Sequence, residues 1–331
     1  MQHGRSMWVW LWLLLVALPL RADEISQQEY QQVTQDITPA LKALKTLYRE
    51  SDIAQLNYQL ADFSVLEQEA LRSALVDYAH TFKKLDEEKV AWLETQAARQ
   101  SRFTLTEQGD GYRVTRAAFT YGTRAHQLLQ RWQREQLAES FVRQVDAGDL
   151  VLADWLAGDL NTQRTRRDIA LTQLAALSGT GVRYLADQFL SDRQLLWLSD
   201  NGLLAKLAAI TGDEGLYQQL WRRRTDQYSR AELNRLADEL PAQLAVSQLM
   251  AATRNPSLKA QAYQALATLK PLPDEVEIFL LGKLSEPEDG ELVASKLVNQ
   301  GHSSWLTTLA AGTNSYTLKR NLETALSASM P

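Results

Sequence analysis

Apolar residues recur along most of this chain at spacings of three and four, which is the period of one helical face. From Tyr30 the positions Val33, Ile37, Leu41, Leu44 and Leu47 form such a face, and Pro39 within the run predicts a kink or break near Thr38. A longer helix is predicted from Ser64, with Ser64 as N-cap and Glu67 completing a capping box. Its face runs Leu71, Leu75, Tyr78, Phe82, Leu85 and Trp92, a seam suited to one antiparallel neighbour, for which the first helix is the candidate. One segment departs from this period. Within residues 102–119, Phe103 and Leu105, then Tyr112 and Val114, alternate with polar residues around a Gly-Asp-Gly turn, which predicts a β-hairpin. A lone hairpin is marginal in water and must lean on the helices. Its expected role is to connect to the next helix near Gly122; the alternative is an edge offered to a partner strand.

From Asn161 onward the predicted helices become short and regular. Leu177, Leu207, Leu236, Leu266, Leu297 and Leu326 follow one another at intervals of 30, 29, 30, 31 and 29 residues. Most have an apolar residue three positions earlier (Leu174, Leu204, Leu233, Tyr263, Ala294), and Glu323 breaks the rule. A second set, Leu220, Leu249, Leu280 and Leu309, lies between them at intervals of 29, 31 and 29. Turn-forming residues separate the two sets: Gly179–Gly181, Gly212, Asn255–Pro256, Pro271–Pro273, Pro287–Gly290 and Gly312–Asn314. A sustained period of this length is the mark of stacked helix pairs, because a single pair cannot bury its apolar face alone.

The stretch "LKAQAYQAL", Leu258 to Leu266, follows an Asn-Pro turn and resembles the first-helix signature of HEAT-type repeats. "LKRNLETAL", Leu318 to Leu326, repeats it two units on, while the intervening "DGELVASKL" lacks the basic residue. The resemblance covers residues 161–331 and implies an α-solenoid in which Lys259 and Lys319, in place of the usual arginine, serve contacts between repeats, and alanines permit close helix approach. Tyr263 and Leu322 are bulkier than that pattern expects. The expected fold is all-α: an N-terminal long-helix hairpin with one small β-hairpin over 23–160, followed by an α-solenoid of about 30-residue helix pairs over 161–331.

The first 22 residues stand outside this pattern. An apolar run of 14 from Met7 to Leu20 follows Arg5 and ends at a Pro–small-residue stretch before Asp23. It is too short to span a bilayer, which takes about 20 apolar residues, and it fits a cleavable export signal. An uncleaved anchor is the alternative. Without cysteine, disulfides, thiolate metal sites and a lipidated N-terminal cysteine are all excluded. Removal of Arg5 and Arg21 with the signal takes the net charge from −5 to −7, which speaks against broad nucleic-acid binding. A periplasmic protein is expected, with secretion as second choice, and no stable membrane insertion once the signal is gone.

No motif of a known chemistry organises the remaining residues. His80, His126 and His302 are far apart and outside any metal-binding spacing, and neither a phosphate-binding glycine loop nor a Gly-x-Ser-x-Gly elbow occurs. Glu139-Ser140 and "GLYQ" at Gly215 resemble two elements of lytic transglycosylases, but that family holds them close together and here some 70 residues intervene. Two basic clusters remain, Arg164, Arg166 and Arg167 in "QRTRRD" and Arg222, Arg223 and Arg224 in "WRRRTD". They read as solvated helix faces and dipole partners, or as a joint site for a protein partner or an anionic envelope component. The tryptophans beyond the signal, Trp197 among them, are expected in the core.

The sequence therefore points to a non-enzymatic scaffold or adaptor that needs no cofactor or metal and binds an unidentified envelope protein or peptide. A glycan-binding or transglycosylase-like protein, and a periplasmic chaperone or assembly factor, are the alternatives. N-terminal sequencing of the protein recovered from producing cells should begin Asp-Glu-Ile at Asp23; recovery of the chain with residues 1–22 attached would establish an anchor instead.

Overall fold

The computed structural model describes residues 23–108, 113–198 and 200–328. The expected signal segment, 1–22, and the Gly-Asp-Gly turn of the hairpin lie outside the described residues. Contacts divide the chain into two units between Gln136 and Leu137. The change of pattern at Asn161 thus falls within the second unit.

The first unit opens with strand β1 (Asp23–Ile25) and the helices α1 (Gln27–Asp36), α2 (Thr38–Arg49), α3 (Ile53–Ala61), α4 (Val65–Ala79) and α5 (Glu87–Ala97). The expected break before Pro39 is present, with Ile37 ending α1 and preceding α2. The Ser64–Glu67 capping box also forms, Ser64 Oγ accepting from Glu67 N and Glu67 Oε2 from Ser64 N at 2.9 Å. The single helix expected through Trp92 is instead two. Residues 80–86 leave the helical path, and Asp86 caps α5 by accepting from Lys89 N at 2.9 Å. The seam survives the break because Phe82 turns back inward. Fully buried Tyr48 sits edge-on to Tyr78, Phe82 and Trp92, with ring centroids 6.2, 5.7 and 5.3 Å away. Lys89, itself buried, lies over the Tyr48 and Phe82 rings and is ion-paired to Asp86.

The hairpin is present as antiparallel strands β2 (Phe103–Gln108) and β3 (Arg113–Ala117). One of its edges is already taken: β1 pairs parallel to β2, Ile25 opposite Leu105, and both side chains are buried. Glu69 of α4 anchors the sheet, accepting from Ser101 Oγ at 2.7 Å and Arg102 N at 2.8 Å. All of β3 is exposed. Helix α6 (Tyr121–Ala147) follows, giving Tyr121, Ala125 and Leu128 to the first core and Phe141 and Val145 to the second.

The second unit is a solenoid-like array. After a short helix α7 (Leu152–Trp155) come α8 (Leu160–Gln173) and α9 (Gly179–Ser191), then α10 (Gly202–Thr211), packed on both α9 and α11 (Glu214–Arg222), and α12 (Gln227–Asp238), packed on α13 (Gln243–Ala252). Then come α14 (Lys259–Leu266), packed on α13, α15 (Asp274–Leu284), packed on α16 (Gly290–Asn299), and α17 (Ser303–Gly312), packed on α18 (Tyr316–Ala328). Even-numbered helices pack in succession from α8 to α18, and α9, α11 and α13 succeed one another likewise. The periodic leucines are the core of this stack: Leu207, Leu236, Leu266 and Leu297, and Leu220, Leu249 and Leu280, are fully buried. Near the ends Leu177, Leu309 and Leu326 are only half-buried. At the first pair a 3-10 turn over Leu174–Ala176 shifts the register, so Leu174 takes the buried place expected for Leu177.

Polar side chains join one pair to the next. Asn255 Nδ2 donates to Trp221 O at 2.9 Å and Arg223 O at 3.3 Å, and Asn201 Nδ2 to Arg224 O at 2.9 Å. Asn321 Nδ2 donates to Leu284 O at 3.0 Å and Glu286 O at 3.1 Å, crossing the space where any side chain at Gly290 would stand. Asp289 binds Lys259 Nζ at 2.5 Å and Tyr263 OH at 2.7 Å. A buried carbonyl stripped of its donor costs 1–3 kcal/mol. Asn255→Ala, which orphans two, should therefore lower stability by about 2 kcal/mol, read as a reduced urea midpoint; Ser257→Ala on the exposed side of the same turn should leave the midpoint unchanged.

Candidate functional site

The segment between α9 and α10 holds a 3-10 turn, Arg193–Trp197, capped by Asp192, whose carboxylate accepts from Gln194 N at 2.8 Å. Its carbonyls face the next turn, where Arg223 meets them. Arg223 donates from Nε to Asn201 Oδ1 at 2.6 Å, from Nη1 to Leu195 O at 3.1 Å, and from Nη2 to Leu198 O at 2.7 Å and Asp200 O at 3.4 Å. Burial pulls this guanidinium below its ordinary value, with Asp226 and Asp200 opposing the shift. Arg223 is therefore a cross-strut between two turns.

The first cluster is held in a similar way. Arg167 pairs with Asp168 and with Asp200, and these hydrogen bonds raise its already high pKa against the cost of burial. Arg166 stacks on the Trp155 ring, 5.4 Å from its centre, and donates to Trp155 O at 3.0 Å. Arg164 is exposed. The two clusters thus come together through Asp200, whose carboxylate takes Arg167 and whose carbonyl takes Arg223.

Along these turns four depressions run into one another by shared walls. The first, about 210 Å3, is lined by Leu156, Leu160, Leu198 and Leu203 with Arg164 and Arg167 beside them. The next shares Leu156 and Leu198 and adds Trp197. A third, about 480 Å3, shares Trp197 and Leu198 and reaches Arg223 and Arg224. The fourth, about 460 Å3, shares Arg223 and Arg224 and adds Trp221, Arg222, Arg254 and Pro256. A roomier hollow of about 610 Å3, between Leu177, Arg183 and Ile210, shares no wall with this groove.

Trp197 corrects an expectation: it is 88% exposed at the middle of the groove, whereas Trp92 and Trp221 are buried as anticipated. Sequence reasoning also passed over Arg254, which sits in the Asn-Pro turn read only as punctuation. Among the described residues, Arg164, Arg222, Arg224 and Arg254 make no side-chain hydrogen bond or ion pair, and all four are exposed. The neighbouring carboxylates do not neutralise them. Burial alone would raise Asp226, but hydrogen bonds from Ser229 and Asn201 outweigh it and hold the carboxyl below its usual range.

Glu139 is exposed on α6. His126 bonds to Gln130 of its own helix at 2.9 Å, and His302, before α17, reaches Ala267 O at the end of α14 at 2.9 Å. Comparison with family models, curated proteins and solved structures finds no match to this chain.

The two kinds of arginine should separate in thermal unfolding. Arg223→Ala removes the donor to three backbone carbonyls and should lower Tm by several degrees, at about 2 kcal/mol for a half-buried charged donor. Arg222→Ala and Arg224→Ala should leave Tm within about one degree, as surface changes do.

Proposed function

We propose that the protein is an exported, non-enzymatic scaffold or adaptor of the periplasm, built on HEAT-like repeats, that holds a protein or peptide of the envelope along the groove from Leu203 to Arg254. The carrying observation is the groove itself: continuous apolar and basic hollows along successive turns, with an exposed tryptophan at their centre and Arg222, Arg224 and Arg254 unpaired among the described residues. Tryptophan and arginine are the residues that most often dominate binding energy at interfaces. An array of stacked pairs presents such a surface over several units.

The repeat assignment is supported by Lys259, which reaches Asp289 at the start of the next pair, the kind of inter-repeat contact its place in the signature implies. Tyr263 fits the same place because its hydroxyl reaches the same carboxylate. Lys319 turns instead toward Glu323 of its own helix, at 3.9 Å. Location in the envelope rests on the apolar N-terminal run, together with the finding that no helix among the described residues is long and apolar enough to cross a membrane.

A photo-crosslinking amino acid placed at Trp197 in producing cells should yield a discrete protein adduct. The same probe at Tyr58, 68% exposed in the first unit, should not. Adducts only to glycan, or equal adducts at both positions, would defeat this reading.

A further inference from the structure

We propose that the groove of the second unit binds an extended acidic peptide, its carboxylates on Arg222, Arg224 and Arg254 and a large apolar side chain in the pocket of Leu156, Leu198 and Leu203. This rests on the adaptor reading above and names the chemistry of its partner.

Charge complementarity carries the argument. Arg222 ends α11, Arg224 lies just past it and Arg254 stands on the following turn, so these three guanidiniums line one hollow of about 460 Å3 beside the strut Arg223. Among the described residues no carboxylate lines this hollow, and the two that line the adjoining one are already bound. Asp200 takes Arg167 and Gly202 N, and Asp226 takes Asn201 N, Tyr228 N and Ser229 N. Three cations are left facing solvent in a chain of net charge −5. Guanidinium forks match carboxylates in pairs, with two parallel hydrogen bonds each.

The same charge balance decides between anions. A nucleic acid meets an acidic protein with long-range repulsion and needs a broad basic face. A short peptide needs only the local cluster. The other end of the groove is apolar, with four leucines around about 210 Å3, and exposed Trp197 lies between the two ends. A ligand that uses both ends must itself be acidic at one end and apolar at the other. The ends are two helix spacings apart, about 20 Å at roughly 8–10 Å per packed pair. Extended chain rises about 3.3 Å per residue, so about six residues reach across.

The test pans a random octapeptide library on the full exported chain and on the variant Arg222→Glu/Arg224→Glu/Arg254→Glu, with circular dichroism confirming that the variant is folded. Selected peptides should share at least two acidic residues and a Leu, Ile or Phe some five positions away. A fluorescein-labelled selected peptide should quench tryptophan emission in the wild type, and measurably less in Trp197→Phe, where Trp221 in the basic hollow still reports binding. Its affinity should fall about tenfold in the triple variant, and again at high salt as exposed charges are screened. Selected peptides without acids, or with affinity unchanged in the triple variant, would overturn this proposal and leave the adaptor reading standing. Selection of no peptide would overturn both. Binding to phosphatidylglycerol vesicles that the triple variant loses, with no acidic peptide selected, would give the arginines to a lipid headgroup and overturn it as well.

Discussion

Where a helix ends its last carbonyls lose their partners, and in a stack of short helices those ends lie against the next pair rather than in water. The second unit depends on how these carbonyls are satisfied. Asn201, Asn255 and Asn321 each extend a buried amide to carbonyls of a neighbouring turn, and Arg223 does the same with a guanidinium. Asp226 works in the opposite sense, accepting the N–H groups that open α10 and α12. The leucines supply the larger share of the burial energy, but leucine contact is non-directional and would tolerate pairs sliding on one another. The amides do not tolerate it. Each fixes one turn against one neighbour, at a cost of 1–3 kcal/mol for every carbonyl left bare.

The groove is a by-product of this bonding. Arg223 holds the 3-10 turn by the carbonyls of Leu195 and Leu198, and with that backbone tied down Leu198 forms a wall while Trp197 stands out in solvent. Of three consecutive arginines, the middle one is spent on structure and its neighbours on either side are exposed. That alternation converts a run of like charge into a strut and two unpaired cations. It also explains why the cations are not lost to internal pairing: the carboxylates near enough to take them are committed to backbone N–H groups or to Arg167.

What could be read from the sequence follows from which interactions are periodic. Leu207, Leu236, Leu266 and Leu297 declare the stack because each pair must bury the same point of the same helix. The Ser64 cap and the hairpin were legible because their chemistry is local. Asn201, Asp226, Asn255 and Asp289 do the equivalent polar work at uneven intervals, since a side chain can reach a turn from several places, and no period betrays them. The end of α4 was hidden for another reason. No glycine or proline marks residues 80–86, and the break is made by Phe82 seeking the Tyr48 cluster and by Asp86 capping α5, a signal present in the Asp-Glu-Glu run. Trp197 was misjudged because its apolar neighbours look helical, while the chain there is a short 3-10 turn held by Arg223 from outside it.

The uneven polar contacts also decide where along the array the basic groove lies. At the C-terminal pairs the contacts are self-contained: Asp289 is filled by Lys259 and Tyr263, and Asn321 by the carbonyls before α16. Between α8 and α14 the same task is shared by Arg167, Arg223, Asp200 and Asp226, and here positive charge is left over, on Arg222, Arg224 and Arg254. A perfectly regular repeat would place the same surface on every pair and could not single out one stretch. Irregularity of the array is therefore what localises the basic groove, because its turns differ in which polar group closes them and so in which charges remain outside.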